Sequence, residues 1–124
     1  MARILIVDDE LAVVSVFETA LKNAGFDVKI AGDGANGVSL AQKEPFDVIL
    51  LDQMLPDQSG NEVLKTIRAD GANVKTPISM LSNFSNDVTI NEAKTLGAQD
   101  YILKFEISPD QLVEKVNGLL TQKG

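Results

Sequence analysis

A five-fold rhythm constrains this chain more than any other feature. A short apolar run gives way to a polar break and then to a longer stretch of helical period, and the cycle repeats from end to end. The apolar runs are Ile4–Val7, Val28–Ala31, Val48–Leu51, Ile78–Leu81 and Tyr101–Leu103. The first and third are apolar throughout, as strands covered on both faces are. The second carries Lys29, which suits the edge of a sheet. Between the runs, Val14, Phe17 and Leu21 fall on one face of a helix that Gly25 stops. Asp33 caps a helix through Gln42. A helix over Asn61–Ala69 follows a turn containing Pro56, Asp57, Ser59 and Gly60, and one over Asn86–Leu96 ends at Gly97. Ser108-Pro109-Asp110-Gln111 is a capping box with proline at the first helical position, and Leu112, Val116, Leu119 and Leu120 form the apolar stripe behind it. Five strand–helix repeats predict an α/β fold, a parallel sheet with helices on both faces, because right-handed crossovers carry each helix over the sheet. Such sheets bind ligands beyond the carboxyl ends of their strands, where the strand order reverses.

The residues at those ends are reactive types. The first strand runs into Asp8, Asp9 and Glu10, the third into Asp52, the fourth into Ser82 and the fifth into Lys104. Each has a bland reading. Asp8 and Asp9 could cap the first helix, Asp52 could form a turn, Ser82 could be a loop hydroxyl, and Lys104 could be a solvated lysine. Independent bland roles do not explain why four of the five strand ends carry such residues at one edge of one sheet. Three aspartates gathered there repel one another, and a divalent cation removes that penalty. The chain has no Cys and no His. Disulfides, thiol chemistry, Cys/His zinc sites and a catalytic histidine are therefore excluded, and any metal is held by oxygens. Two or three carboxylates suit Mg²⁺, which keeps several waters, better than a closed calcium cage. A carboxylate can attack phosphorus and form an aspartyl phosphate, with a lysine and a hydroxyl serving the other oxygens. Asp52, on the central third strand, is the better nucleophile, and the adjacent Asp8 and Asp9 are better suited to a metal.

Composition narrows the partners. A net charge of −7 argues against direct nucleic-acid binding, which needs a basic face. At 124 residues the expectation is a single domain over 1–124. The apolar runs fall short of a membrane span and no secretory signal is visible, so a cytoplasmic location is expected.

With these motifs in order, the sequence resembles the receiver domain of two-component response regulators, including the single-domain chemotaxis regulators. The resemblance runs from about Arg3 to Leu120. It rests on Ile4-Leu5-Ile6-Val7-Asp8-Asp9-Glu10, Leu50-Leu51-Asp52-Gln53-Met54-Leu55-Pro56-Asp57-Gln58-Ser59-Gly60, Pro77-Ile78-Ser79-Met80-Leu81-Ser82 and Leu96-Gly97-Ala98-Gln99-Asp100-Tyr101-Ile102-Leu103-Lys104. It implies a flavodoxin-like (βα)5 three-layer sandwich with strand order 2-1-3-4-5. It also implies that Asp52 is the phosphoacceptor and that Asp9 ligates Mg²⁺ (or Mn²⁺) directly with help from Asp8. Asp52 and the backbone carbonyl of Met54 would complete the protein ligands. By the same resemblance, Lys104 binds the phosphoryl group, Ser82 is the switch hydroxyl and Tyr101 the switch aromatic. Phosphorylation would redraw the face of the fourth helix, fifth strand and fifth helix, a face through which a homodimer could also form. The donor would be a phosphohistidine on a sensor histidine kinase or phosphotransfer protein, and the downstream protein target is not named by the sequence. The chain would catalyse its own phosphoryl transfer and slow dephosphorylation, without turnover on an external substrate. No output domain is expected after the last helix.

Three positions depart from the family's pattern. Phe105 stands where the family usually has a proline joined by a cis peptide. A cis bond before a non-proline costs about 3 kcal/mol, so a trans bond and a rearranged loop from Phe105 to Ile107 are expected. Asn83 follows the switch hydroxyl in place of a small residue. Met54 and Phe84, two residues beyond Asp52 and Ser82, are apolar and are expected to hinder the water that removes the phosphoryl group. Three other readings compete. A degenerate receiver would bind partners without phosphorylation. A flavin-binding protein needs a phosphate-cradling first loop, which Asp8, Asp9 and Glu10 would repel. An aspartyl phosphatase would place an acid two residues after its nucleophile, where this chain has Met54.

Overall fold

The structure is a computed structural model, and it describes residues 1–83 and 85–122. Phe84 lies outside the described residues. Five strands alternate with five helices: β1 (Arg3–Val7), α1 (Leu11–Asn23), β2 (Asp27–Ala31), α2 (Gly34–Lys43), β3 (Val48–Leu51), α3 (Gly60–Ala69), β4 (Ile78–Ser82), α4 (Asp87–Thr95), β5 (Asp100–Leu103) and α5 (Pro109–Gln122). All pairings are parallel, in the order β2-β1-β3-β4-β5. β2 is an edge, as Lys29 suggests, and the Lys29 ammonium reaches Glu44 at 3.0 Å.

The sheet separates two cores, and the strand period of two sorts β1 between them. Leu5 and Val7 join Ala41, Val63, Leu64, Ile67 and Ala93 from α2, α3 and α4 on one side. Ile4 and Ile6 join Val14, Phe17, Leu21, Leu112, Val116 and Leu119 from α1 and α5 on the other. Ile4, Leu5, Ile6 and Val7 are fully buried, and each contributes about 1.5–3 kcal/mol on burial.

The helix signals act as chemistry predicts, with shifts of a residue or so at the ends. Asp33 accepts from the Asn36 backbone N–H, and Asn86 accepts from that of Thr89. α3 begins at Gly60 rather than Asn61, because the Ser59 hydroxyl already caps it by accepting from the Glu62 N–H. In the capping box of α5, the Gln111 N–H donates to Ser108 Oγ and the Ser108 N–H donates back to Gln111 Oε1. Gly25 follows α1 with φ +96°, a backbone that residues with a Cβ resist.

Two ties hold the loops that frame the sheet's ends. Asn73 is buried and donates to the carbonyls of Ala41 and Glu44 while accepting from the Phe46 N–H and Thr76 Oγ1. The Arg68 guanidinium donates to the carbonyls of Asn73, Val74, Thr76 and Gly97, joining the end of α3 to the turns before β4 and β5.

Candidate functional site

The strand order reverses between β1 and β3, so the crevice beyond the carboxyl ends of these strands is where a ligand fits. Register brings two carboxylates to it. Val7 pairs with Leu51, so Asp8 and Asp52 leave the sheet side by side. The Asp52 N–H donates to the Val7 carbonyl, and the Asp8 N–H donates to that of Ala31, which fixes both backbones. On the other flank Ser82 pairs with Leu103, so Lys104 emerges one register position beyond Ser82. Gly60 packs so tightly on the Asp52 carbonyl that a Cβ there would collide with it.

Asp8, Asp52, Ser82 and Lys104 are all buried. The Lys104 ammonium lies 2.6 Å from Asp8 Oδ2, 2.9 Å from Glu10 Oε1 and 3.3 Å from Asp52 Oδ2. The Asp8 contact is short, yet it lies off the direction of a hydrogen bond. Asp8 Oδ2 is thus the buried side-chain polar atom without a hydrogen-bond partner among the described residues. We read that contact as an ion pair and Asp8 Oδ2 as an acceptor open to a further cation. One oxygen from each of Asp8, Glu10 and Asp52 falls within 4.8 Å of the others. Three carboxylates against one ammonium leave a deficit that a divalent cation balances, and every donor is a hard oxygen, as Mg²⁺ prefers.

Electrostatics follows from this crowding. Burial, and then the charge of Asp8, push the Asp52 carboxyl from 3.8 up to about 6, against the pull of Lys104. Burial disfavours the Lys104 ammonium, but its contacts with Asp8 and Glu10 and the charges of Asp8 and Asp52 more than reverse this, so it stays protonated. Burial raises the Tyr101 phenol, while hydrogen bonding with Gln53 and Ser82 pulls it partly back. Ser82 pairs with Leu103, two residues on from Tyr101, so the Ser82 and Tyr101 side chains share one face of the sheet.

The structure gathers Asp8, Asp52, Ser82 and Lys104 at one edge and places half-buried Tyr101 beside Ser82. Met54 follows Asp52 with its side chain exposed and its N–H 3.4 Å from Asp52 Oδ1. Asp9 is exposed and stands apart from the carboxylate group; its neighbour Glu10 points in instead. The Lys104–Phe105 peptide is trans, since no described residue has a cis bond. In the loop expected to be rearranged from Phe105 to Ile107, the chain forms a 3-10 turn over Lys104–Glu106 and then extends at Ile107, and Phe105 is exposed. Lys104 keeps its place in the site regardless.

Two features escape the sequence reading. Glu10 holds both Lys104 and Asn83, at 2.9 Å each. Asp8 and Glu10 are two residues apart, so the strand alternation carried past Val7 would have put them on one side and Asp9 on the other. Behind the site, buried Gln53 and Asn61 bond each other twice, and Asn61 Nδ2 reaches Glu92 Oε1 in α4 at 2.9 Å. Polar side chains beside a turn read as solvated, so the sequence holds no signal for this pair.

Comparison with known proteins agrees with this geometry. The model of the response regulator receiver domain matches residues 4–117. The cell cycle response regulator CtrA of Brucella ovis is 35% identical over 118 residues, covering 95% of this chain and 50% of that protein. The chain thus spans about half the length of the curated relatives it matches. A CheY-like receiver domain protein from Methanospirillum hungatei superposes with a TM-score of 0.92 at 29% identity, covering 98% of this chain and 95% of that one. The chemotaxis protein CheY4 of Vibrio cholerae gives 0.89 at 32% identity, covering 97% and 99%. No described helix is long and apolar enough to cross a membrane. With motif order, strand order and site geometry all in agreement, this chain belongs to the receiver domains of response regulators, the receiving modules of two-component signalling.

Proposed function

We propose that Asp52 accepts a phosphoryl group from a phosphohistidine on a sensor histidine kinase or phosphotransfer protein, in a Mg²⁺-dependent step. The observation that carries this is the placement of the Asp52 carboxylate, buried at the switch point with a lysine ammonium 3.3 Å from one oxygen. An Asp52 carboxylate oxygen forms the new bond to phosphorus as the phosphorus–nitrogen bond of the donor breaks, and the imidazole leaves with the electron pair. Lys104 and the Ser82 hydroxyl hold the transferred oxygens. Asp8, Asp9, Asp52 and the Met54 carbonyl would hold Mg²⁺, Asp9 being the one of the three carboxylates that is exposed. When bound, the cation neutralises charge on the carboxylates and the incoming phosphoryl oxygens.

Ser82 and Tyr101 transmit the change. A new partner for the Ser82 hydroxyl changes the surroundings of Tyr101 on the same sheet face, and Tyr101 lines a groove of about 580 Å³ between β5 and α5 with Leu103, Ile107, Gln111 and Lys115. A protein target or a second copy docks on this face of α4, β5 and α5. Lys104 remains within the carboxylate cluster, which favours this reading over a phosphorylation-independent binding module. The test is incubation with Mg²⁺ and acetyl phosphate. A hydroxylamine-labile phosphoryl adduct by intact mass, absent in Asp52→Asn, is expected. Folded wild-type protein that gains no adduct with Mg²⁺ present would overturn the proposal.

A further inference from the structure

Lys104 is ringed by carboxylates before any phosphoryl group arrives: Asp8 at 2.6 Å, Glu10 at 2.9 Å and Asp52 at 3.3 Å. Of the three, Glu10 accepts the hydrogen bond that the ammonium makes. A phosphoryl oxygen drawn to the same ammonium adds a further acidic group around one positive charge, so one carboxylate is expected to leave. The three are not equally releasable. The side chains of Asp8 and Asp52 are 1% and 4% exposed and are pinned by the strands behind them, whereas that of Glu10 is 41% exposed. Asp8 and Asp52 cannot regain water by turning away, and Glu10 can. Its backbone is independently anchored, with the N–H donating to Asp8 Oδ1 at 2.9 Å, so the side chain can swing while the chain stays in place. Glu10 is also the N-cap residue of α1 without making a side-chain cap bond, so helix capping does not explain its inward pose.

We propose that Glu10 is a displaceable counter-ion that occupies Lys104 in the resting receiver and yields it to the phosphoryl group. Asn83 is its holder, donating to the same Oε1 atom at 2.9 Å. Charge favours the exchange. A phosphorylated Asp52 carries more negative charge than the carboxylate it replaces, so keeping Glu10 in the cluster adds repulsion that its departure relieves. Glu10 is thus a positioning residue that acts through Lys104. It sets the threshold for phosphorylation by competing with the incoming oxygens.

The inference rests on the receiver reading above, and its test separates the two. The probes are beryllofluoride, which mimics the phosphoryl group without a covalent step, and acetyl phosphate, both at saturating Mg²⁺. Glu10→Ala is expected to bind beryllofluoride more tightly and to be phosphorylated faster, each by roughly three- to tenfold, the span of a half-exposed ion pair. Glu10→Gln keeps the shape but not the charge and is expected to fall between Ala and wild type. A ligand role for Glu10 predicts the reverse, weaker binding and slower labelling in both variants, and would overturn the inference. Unchanged binding and rate would overturn it too, with the receiver reading left standing. A wild type that takes neither probe would bring down both. Circular dichroism melts confirm that both variants fold.

Discussion

Asp52→Asn should stabilise the protein, and the gain should depend on pH and on Mg²⁺. The folded protein holds the Asp52 carboxyl at about 6 against 3.8 in the unfolded chain, chiefly through burial. That difference costs about 3 kcal/mol of folding free energy once the group is ionised in both states. Asparagine keeps the shape and sheds the charge, and Lys104 retains Asp8 and Glu10 as partners. Allowing for an amide that fits a carboxylate's place imperfectly, the gain is about 1–3 kcal/mol. For a domain of this size, that is a rise of roughly 3–10 °C in Tm. The sign with pH is fixed. The folded state keeps its proton between 3.8 and about 6 while the unfolded state has lost it, so wild-type stability falls as pH rises through that window. The gap between variant and wild type is therefore full above about pH 6 and closes towards 3.8. Mg²⁺ should close it at neutral pH by offsetting the repulsion. Thermal melts in EDTA and in excess Mg²⁺, at several pH values, measure all three effects. Equal stability in EDTA at neutral pH, or a gap that widens on acidification, would refute the reasoning.

Other positions give equally specific outcomes. The Asp57 carboxylate accepts from the N–H groups of Gly34 and Ala35 at the start of α2, and these bonds hold its pKa below the ordinary value. Asp57→Ala should lower Tm at neutral pH, with the difference vanishing as acid protonates the wild-type group, the opposite sign to Asp52. Asn73→Ala strips hydrogen bonds from two carbonyls and a backbone N–H and should cost about 2–4 kcal/mol in urea unfolding, with m unchanged. Met54→Asn places a polar group beside Asp52 and should speed loss of the phosphoryl group by roughly three- to tenfold as water is admitted; an unchanged decay rate would remove Met54 from the account.

The fold was legible because each level of the sequence agrees with the others. Uninterrupted apolar runs mark β1 and β3 as central, Lys29 marks β2 as an edge, and the box at Ser108 starts α5. The cluster was legible in part. Asp8, Asp52, Ser82 and Lys104 end their strands, and parallel register alone brings strand ends together. What did not show was side-chain direction in the loops. Asp9 and Glu10 are both acidic, and only the backbone past Val7 decides that Glu10 turns to Lys104. The trans bond before Phe105 follows from the missing proline, whereas no residue pattern marks the 3-10 turn over Lys104–Glu106. The buried Gln53–Asn61 pair was invisible because polar side chains on either side of a turn read as solvated, and only tertiary packing buries them.

The central claim is that Asp52, and no other carboxylate of the cluster, receives the phosphoryl group. Treating the acetyl phosphate-labelled protein with sodium borohydride reduces an aspartyl phosphate at its own position, and peptide mass mapping then locates it. The account predicts reduction at position 52 alone, dependent on Mg²⁺. Reduction at Asp8, Asp9 or Asp57, or none in protein that is folded and supplied with Mg²⁺, would contradict it.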